Sequence, residues 1–333
     1  MIILRKLILI LAVLIVVAAQ LLPGAAMGAA TNSGQALEIA PPLINLRGSP
    51  GQTISAQVYI RDVSNSPLIV TNQIDNFVAN GESGVPKILL NNNQPDPYSL
   101  QGFIQPIKPL LLKPQQVEKL NINVAIPLDA SPGGHYGVIR FSGQAPSLNG
   151  KNGVAVSASL GALVLLTVNG NIIEHLSLSS FNVSPGNGKS KPSSFLQGAP
   201  FTLSEVLLNS GNEHVIPTGI VTIKDMFGRE VMAMNINGEQ GNILPSSKRR
   251  FQEVVTAINS NHKLFFGRYS ASINIDYGTP KKTLTGTMTF WVIPINLIVL
   301  WIVVLIGGFF LIRWLIKRYN QHILDKAQNK PKK

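Results

Sequence analysis

The chain contains no cysteine, and only 13% of its 333 residues are charged. Without cysteine there can be no disulfide scaffold, thiolate zinc site, iron–sulfur centre or cysteine nucleophile. A hydrophobic content of 45% with so little charge excludes a largely disordered chain. The sequence also lacks the HExxH, GxSxG, P-loop and dinucleotide-binding motifs. The protein is therefore not predicted to belong to the enzyme classes that these four motifs identify.

The net charge of +12 lies mostly outside the part of the chain that is expected to fold. The segment 313–333 carries seven basic residues and one acid, and two further basic residues stand near the N-terminus. Between Thr31 and Trp291 there are 19 basic and 15 acidic residues. This surplus is too small for a basic face, so no nucleic-acid partner is predicted.

The N-terminus has the three parts of a secretory signal peptide. Two basic residues precede an apolar run from Leu7 to Ala19, Pro23 interrupts the chain, and small residues follow. We predict a signal peptide over residues 1–30, cleaved after Gly28 or Ala30. An uncleaved signal anchor is the alternative.

A second apolar run, between Trp291 and Ile312, contains no charged residue. As a helix of about 1.5 Å per residue it would be roughly 33 Å long, enough to cross a hydrocarbon core of about 30 Å. We predict a transmembrane helix at 291–313 and a basic tail at 314–333; a buried core helix is the alternative. The aromatic and basic residues that set the interface and place this end in the cytoplasm are Trp291, Arg313, Trp314, Lys317 and Arg318.

The region between these two ends predicts an all-β fold. Short runs rich in β-branched residues alternate with Gly, Pro, Asn and Ser, and several runs show a period of two. In the clearest case, Leu120, Ile122, Val124 and Ile126 would lie on one face of a strand. Many short strands separated by turn residues favour a β-sandwich.

An internal repeat favours two sandwiches rather than one. Gly51, Asp62 and Asn65 recur as Gly198, Asn209 and Asn212 at a constant shift of 147 residues, and two further Pro-led and Gly-x-Tyr features recur in the same order. The predicted architecture is two tandem Ig-like β-sandwich domains at 31–170 and 171–290. The transmembrane helix would follow the second domain with no long linker, so that domain should stand close to the bilayer.

The residues with potential for chemistry do not assemble into a recognisable site. Asp129, Ser131 and His135 lie close together, but the intervening SPGG reads as a tight turn rather than part of a hydrolase triad. Asn91–Asn93 with Asp96 could offer oxygens to calcium, but one carboxylate is too little for a strong site. No catalytic residue, metal ligand or cofactor is therefore predicted. The surrounding stretch 91–109 is interpreted as an inter-strand loop, with a ligand-facing loop as the alternative.

One dense basic cluster lies in the predicted second domain, at Lys248, Arg249 and Arg250. Charges on an edge strand discourage pairing between sheets, which is one interpretation of the cluster. The other is a patch that contacts an anionic polymer or a lipid headgroup.

The whole arrangement resembles the bacterial WxL-interacting protein family. The similar segments are the first-domain stretch PGQTISAQVYIRDVSNSPL, its end LLKPQQVEKLNINVAIPLDASPGGHYGVIRF, and the second-domain stretches GAPFTLSEVLLNSGNEHVIPTGIVTIKDMFG and ILPSSKRRF. This resemblance implies two Ig-like domains on a membrane anchor. It also implies binding to the cell wall through the first domain and to surface proteins or host ligands through the second.

Together these features predict a non-enzymatic, single-pass protein of the cell membrane with its N-terminal domains outside. It would tether surface proteins or cell-wall polymer. The alternatives are an accessory single-span subunit of a membrane secretion or transport assembly, and an envelope enzyme.

Overall fold

The computed structural model describes residues 37–90, 96–144, 158–256 and 266–328. The predicted signal peptide lies outside these residues. Residues 37–168, here called the first half, form the strands β1 Leu37–Ala40, β2 Leu43–Gly48, β3 Thr53–Asp62, β4 Leu68–Ala79, β5 Pro86–Leu89, β6 Leu110–Leu112, β7 Val117–Ala125, β8 Gly133–Gln144 and β9 Ala158–Val168.

Residues 176–292, here called the second half, form eight further strands, and one helix follows them. The elements are β10 Leu176–Pro185, β11 Phe195–Leu196, β12 Phe201–Asn209, β13 Thr218–Lys224, β14 Glu230–Ile236, β15 Ser247–Val255, β16 Gly267–Tyr277, β17 Lys282–Val292 and α1 Ile295–Gln328. The all-β prediction is confirmed for the described part of the chain that precedes the helix.

The two halves repeat one strand order. The first half combines a sheet β1-β3-β7 with a sheet β2-β9-β8-β4-β5, in which β6 also pairs with β4. The second half combines β10-β12-β15 with β11-β17-β16-β13-β14. In each larger sheet the first strand runs parallel to the last strand of its half, β2 beside β9 and β11 beside β17.

The sequence repeat corresponds to this structural repeat. Asp62 ends β3 and Asn209 ends β12, the central strands of the two smaller sheets. The side-chain oxygen of Asp62 accepts the N–H of Ser64 at 2.8 Å, and that of Asn209 accepts the N–H of Gly211 at 2.9 Å. Both residues therefore close the same turn, because an Asx side chain can bond the backbone two residues on.

Each half has its own buried cluster between its sheets. Strand β16 alternates, with Tyr269, Ala271, Ile273 and Ile275 inward, as the period of two requires. The largest fully buried side chains of the first half include Phe141, Ile139, Leu166 and Ile60, and those of the second include Phe201, Phe290, Leu203 and Leu207. The predicted boundary at 170/171 falls between β9 and β10, and the division into two domains stays a prediction.

The described part of the Asn- and Pro-rich loop, residues 96–109, is built into the first half. Leu100 is fully buried, and its N–H donates to the Tyr136 carbonyl at 3.2 Å. The N–H of Ala125 donates to the Phe103 carbonyl at 2.8 Å, so the loop also covers the edge of β7. The inter-strand interpretation fits these contacts. Residues 91–95, including the three asparagines, lie outside the described residues.

The helix differs from the predicted span of 291–313 at both ends. Trp291 belongs to β17, and α1 begins at Ile295 because Pro294 cannot extend the ladder and its carbonyl instead accepts the N–H of Leu297 at 3.0 Å. The helix then continues to Gln328, since no Gly or Pro lies between Arg313 and Gln328. Within Ile295–Gln321, a stretch of 18 residues has a mean hydropathy of 2.8 and no buried residue, so the helix is long and apolar enough to cross a membrane.

A carboxylic acid lies inside the second core. Glu205, in the middle of β12, is fully buried and stands opposite Phe251 on one side and Phe181 on the other. Glu253 lies farther along β15 on the same inward face. Burial, and then repulsion from the Glu253 carboxylate, raise the pKa of Glu205 to about 9. Glu205 is therefore a neutral acid at neutral pH.

This buried acid makes folding stability depend on pH. Between the ordinary value of 4.5 and about 9, the folded protein holds a proton that the unfolded chain releases. The free energy of unfolding should therefore fall as pH rises through this interval, by about 1.4 kcal/mol per pH unit for one proton. We expect Glu205→Gln to flatten this slope and to stabilise the protein at the alkaline end.

The measurement is denaturant unfolding of the full-length protein in detergent from pH 5 to pH 9, followed by circular dichroism. Glu38→Gln is the matched control, because the Glu38 side chain is exposed in a surface pair with Arg61. A slope that Glu205→Gln leaves unchanged would contradict the assignment.

Candidate functional site

A polar turn between β12 and β13 joins the two halves. Asn209 is fully buried at the start of this turn, and its Nδ2 donates to the carbonyls of Glu213 at 2.7 Å and Ile243 at 2.9 Å. These bonds fix the main chain of residues 210–213 against the strand that leads to β15. The turn is therefore preorganised before it meets the first half.

Asn212 makes the main polar contacts across the junction. Its carbonyl accepts the N–H of Gly134 at 2.8 Å, and its Nδ2 donates to the carbonyls of Pro132 at 3.1 Å and Asn171 at 3.0 Å. Gly133 beside it has a φ of +115°, and a Cβ there would collide with the Asn212 carbonyl. The glycine is needed for this close approach.

Glu213 is a second buried acid, but it has partners from both halves. Its Oε1 accepts the hydroxyl of Thr167 at 2.9 Å and lies 2.5 Å from Nδ1 of His214. The Tyr136 hydroxyl lies 3.3 Å from the same His214 nitrogen. Burial, and then the Glu213 carboxylate, raise the pKa of Tyr136, so its hydroxyl keeps its proton. We call the contacts of residues 209–214 with residues 132–136, 167 and 171 the seam.

Next to the seam, the halves enclose a cleft of about 230 Å³. Its walls are mainly apolar, and both halves contribute to them. The residues that form these walls include Phe77, Leu163 and Leu165 of the first half and Ile243 and Leu244 of the second, with Val85 at the opening of the cleft. Phe77 and Leu165 also pack with Tyr136 in a small buried cluster, against which Leu244 lies. The cleft exists only while the two halves keep their relative position.

Arg249 supplies a positive charge to this cleft. Its guanidinium lies 5.3 Å from the ring centre of Phe251, and its Nη1 donates to the Asn242 carbonyl at 2.8 Å. It fills the space beside Gly84 and Gly241, where a Cβ would collide with it. Burial lowers the pKa of Arg249, and Glu239 raises it, but a guanidinium stays charged under either influence.

The three residues of the predicted basic cluster differ in exposure. Strand β15 alternates, so Lys248 and Arg250 are exposed while Arg249 is partly buried, and Lys248 and Arg249 both line the cleft. The Arg250 guanidinium pairs with the Glu82 carboxylate of the first half. The main-chain N–H of Arg250 donates to the Glu82 carbonyl at 2.8 Å. Strand β15 does lie at the edge of its sheet, as the edge-strand interpretation requires. Binding of an anionic ligand by this cluster stays a prediction.

The other residues considered from the sequence have structural partners. His135 is buried, with Nδ1 at 3.2 Å from the Ser99 carbonyl and Nε2 at 2.9 Å from the Ser131 carbonyl. Both ring nitrogens thus face main-chain oxygens rather than the Ser131 hydroxyl, and Asp129 is exposed. The Asp96 carboxylate accepts the N–H of Tyr98 at 2.9 Å. Across the described ranges, no three acidic or histidine side chains come close enough to hold a metal ion.

The residues predicted to set the membrane interface divide between two elements. Trp291 points outward from β17, while Arg313, Trp314, Lys317 and Arg318 follow one another along α1. The Arg318 guanidinium lies 5.2 Å from the centre of the Trp314 ring system. The cytoplasmic orientation of this end stays a prediction.

The sequence did not reveal the seam or the cleft. The turn SGNEH was noticed only as the second copy of a repeat, and no local pattern indicated that it contacts residues 132–136. The available signal was an excess of polar residues in this copy, where Glu213 and His214 stand in place of the Ser66 and Pro67 of the first copy.

Comparisons with known proteins show similarity in structure only. No family model matches the chain, and no curated protein matches it. Among solved structures, a chain from the chaperone–tip adhesin complex of CFA/I fimbriae has a TM-score of 0.40 at 13% identity, over 78% of this chain and 99% of that one. The class 5 fimbriae chaperone CfaA has a TM-score of 0.39 at 13% identity, over 78% and 100%. The E. coli chaperone DraB has a TM-score of 0.33 at 14% identity, over 78% and 98%.

The seam should respond to the loss of the Asn212 side chain. We expect Asn212→Ala to lower the free energy of unfolding by about 1–2 kcal/mol, because two carbonyls and the N–H of Ile173 lose their partner. It should also speed hydrogen exchange at the Gly134 N–H. Asn121→Ala, on the exposed face of β7, is the control and should change neither quantity. Unchanged exchange at Gly134 in Asn212→Ala would refute the importance of this contact.

Proposed function

We propose that this protein is a membrane-anchored binding protein of the cell surface, which holds a segment of another surface protein between its two β-sandwich halves. The observation that carries the proposal is the apolar cleft with Arg249 beside it, built from both halves. The resemblance of the sequence to WxL-interacting proteins supports the same role. The proposal assigns the protein no catalytic step.

The size of the cleft indicates the kind of ligand. Sites for drug-sized molecules and cofactors occupy about 300–1,000 Å³. A volume of about 230 Å³ is smaller, and suits one or two large apolar side chains. Protein interfaces concentrate their binding energy in such anchor side chains, which enter desolvated pockets. A protruding apolar residue of a partner protein is therefore the ligand that fits best.

Arg249 further restricts the ligands that fit the cleft, because its guanidinium can donate hydrogen bonds to them. Its bond to the Asn242 carbonyl uses one N–H group, and a guanidinium has five in a planar fork. The remaining groups could donate to a carbonyl or carboxylate next to the bound side chain. The ligand class is thus an apolar side chain that adjoins an oxygen acceptor.

The helix explains how a small cleft can suffice. An anchored protein meets partners that share the same surface, so the effective concentration of each site is high. A weak contact can then keep a partner bound that would dissociate from a protein free in solution. This argument requires that α1 spans the membrane, which its length and hydropathy allow.

Site-specific photocrosslinking tests the proposal. A photoreactive amino acid in place of Val85, which is exposed at the opening of the cleft, should give one discrete adduct with a surface protein of the same cells. Ala79→Trp in the same chain should abolish the adduct, because the indole would fill the cleft.

The control probe replaces Leu128, which is 86% exposed and lies outside the cleft. The proposal fails if the Leu128 probe gives the same adduct, or if Ala79→Trp folds normally and leaves the Val85 adduct intact.

A further inference from the structure

The second half is joined to the helix without a flexible linker. Strand β17 ends at Val292, and α1 begins at Ile295. The intervening Ile293 is itself held, because its N–H donates to the Leu196 carbonyl at 2.7 Å. The end of the sandwich and the start of the apolar helix are therefore at almost the same level along the strand direction.

Strand register places other segments at this level. Trp291 pairs with Phe195 of β11 and with Arg268 of β16, and Val292 pairs with Gly267. Phe266 directly precedes Gly267. The end of the sandwich nearest the helix therefore carries residues from three strands.

The β13–β14 hairpin reaches the same end. Lys224, the last residue of β13, pairs with Ser270, and the turn that follows extends toward the helix. A Cβ on Gly267 would collide with the end of the Met226 side chain, so this turn lies beside the start of β16. Phe227 occupies the tip of the turn.

Five large apolar side chains are exposed at this end, beside the exposed basic residues Lys224, Arg229 and Arg268. We call the following residues the rim, and each is between 39% and 75% exposed: Phe195, Met226, Phe227, Phe266 and Trp291. An exposed group of large apolar side chains marks an interaction surface in a soluble domain. Here the group surrounds the point at which the chain enters an apolar helix.

Hydrogen bonds fix the turn that carries Phe227. The Asp225 carboxylate accepts the N–H groups of Phe227 and Arg229, both at 2.9 Å, and the Arg229 guanidinium bonds the same carboxylate at 2.8 Å. That guanidinium also lies 5.4 Å from the ring centre of Phe227. The turn thus holds Phe227 outward and neutralises its only carboxylate, which lowers the cost of bringing it to a membrane.

We infer that the second half rests on the bilayer, with the rim inserted among the lipid headgroups around the emerging helix. Aromatic side chains favour this boundary, where an apolar body can leave water. The occupant of the surface is the lipid itself, because the rim continues the apolar surface of α1. This inference rests on the proposed function in one respect, the membrane anchor.

A contact of this kind would fix the height of the cleft. Strand β12 runs from Phe201, at the membrane end, to Asn209, at the seam. Eight steps of about 3.3 Å each, from Phe201 to Asn209, place the seam about 26 Å from the membrane end. The first half and the cleft would then be presented away from the bilayer, at a fixed distance for a partner.

The absence of native cysteine makes a direct test possible. Single-cysteine variants of the full-length protein, Phe227→Cys and Phe195→Cys, would each carry an environment-sensitive fluorophore in lipid nanodiscs. We expect blue-shifted emission, and loss of intensity when the lipid carries a nitroxide near the top of its acyl chain. Leu128→Cys, in the first half, is the matched exposed control and should show neither effect. Val303→Cys, within α1, reports on the span.

The experiment distinguishes failure of the membrane anchor from failure of the lipid contact. If the probe at Val303 is quenched while those at Phe227 and Phe195 behave like the one at Leu128, the anchor stands and the lipid contact is refuted. If the probe at Val303 is not quenched either, the membrane anchor fails, and the inference fails with it. Circular dichroism of each labelled variant verifies that it is folded.

Discussion

The structure depends on one junction, in which Asn212 and Glu213 of the second half bond to the first half. The Asn212 carbonyl accepts the Gly134 N–H, and the buried Glu213 carboxylate accepts the Thr167 hydroxyl. These bonds hold together two halves that have separate buried clusters. The cleft depends on them, because Leu165 lies on one side of it and Leu244 on the other. The contacts between Arg250 and Glu82 add a second polar link between the halves. Without these links, the two walls of the cleft would be exposed apolar surfaces.

The two buried acids of the second half illustrate different solutions to the cost of burying a carboxyl group. Glu213 has partners from both halves on one oxygen, because its Oε1 accepts the Thr167 hydroxyl and lies beside His214 Nδ1. Its buried Oε2 has no hydrogen-bond partner among the described residues. Glu205 faces Phe251 and Phe181, and the nearest acid, Glu253, repels its charge, so it keeps its proton. The first acid therefore links the halves, while the second makes the core of one half sensitive to alkaline pH.

The structural features that the sequence predicted are those that depend on local periodicity. The alternation in β7 indicated a strand, and the repeat that relates Asp62 to Asn209 corresponds to the duplicated strand order. The predicted span begins at Trp291 whereas α1 begins at Ile295, because apolar residues run from β17 through Ile293 and the sequence alone does not show where the strand ends. The basic cluster was visible in the sequence, but the sequence did not show that Arg249 lies in a cleft formed by both halves. The seam joins residues between about forty and eighty positions apart, and a single sequence carries no pattern for such contacts.

The central claim is that the seam makes the two halves one rigid body. Pulsed electron–electron double resonance tests this most directly, with nitroxide labels on Leu111→Cys and Ile220→Cys in the full-length protein. Both residues are exposed, one in each half, and the chain has no other cysteine. The account predicts a single narrow distance distribution that broadens in Asn212→Ala. A broad or multiple distribution in the protein without that substitution would contradict it, because the cleft would then not be a lasting feature of the molecule.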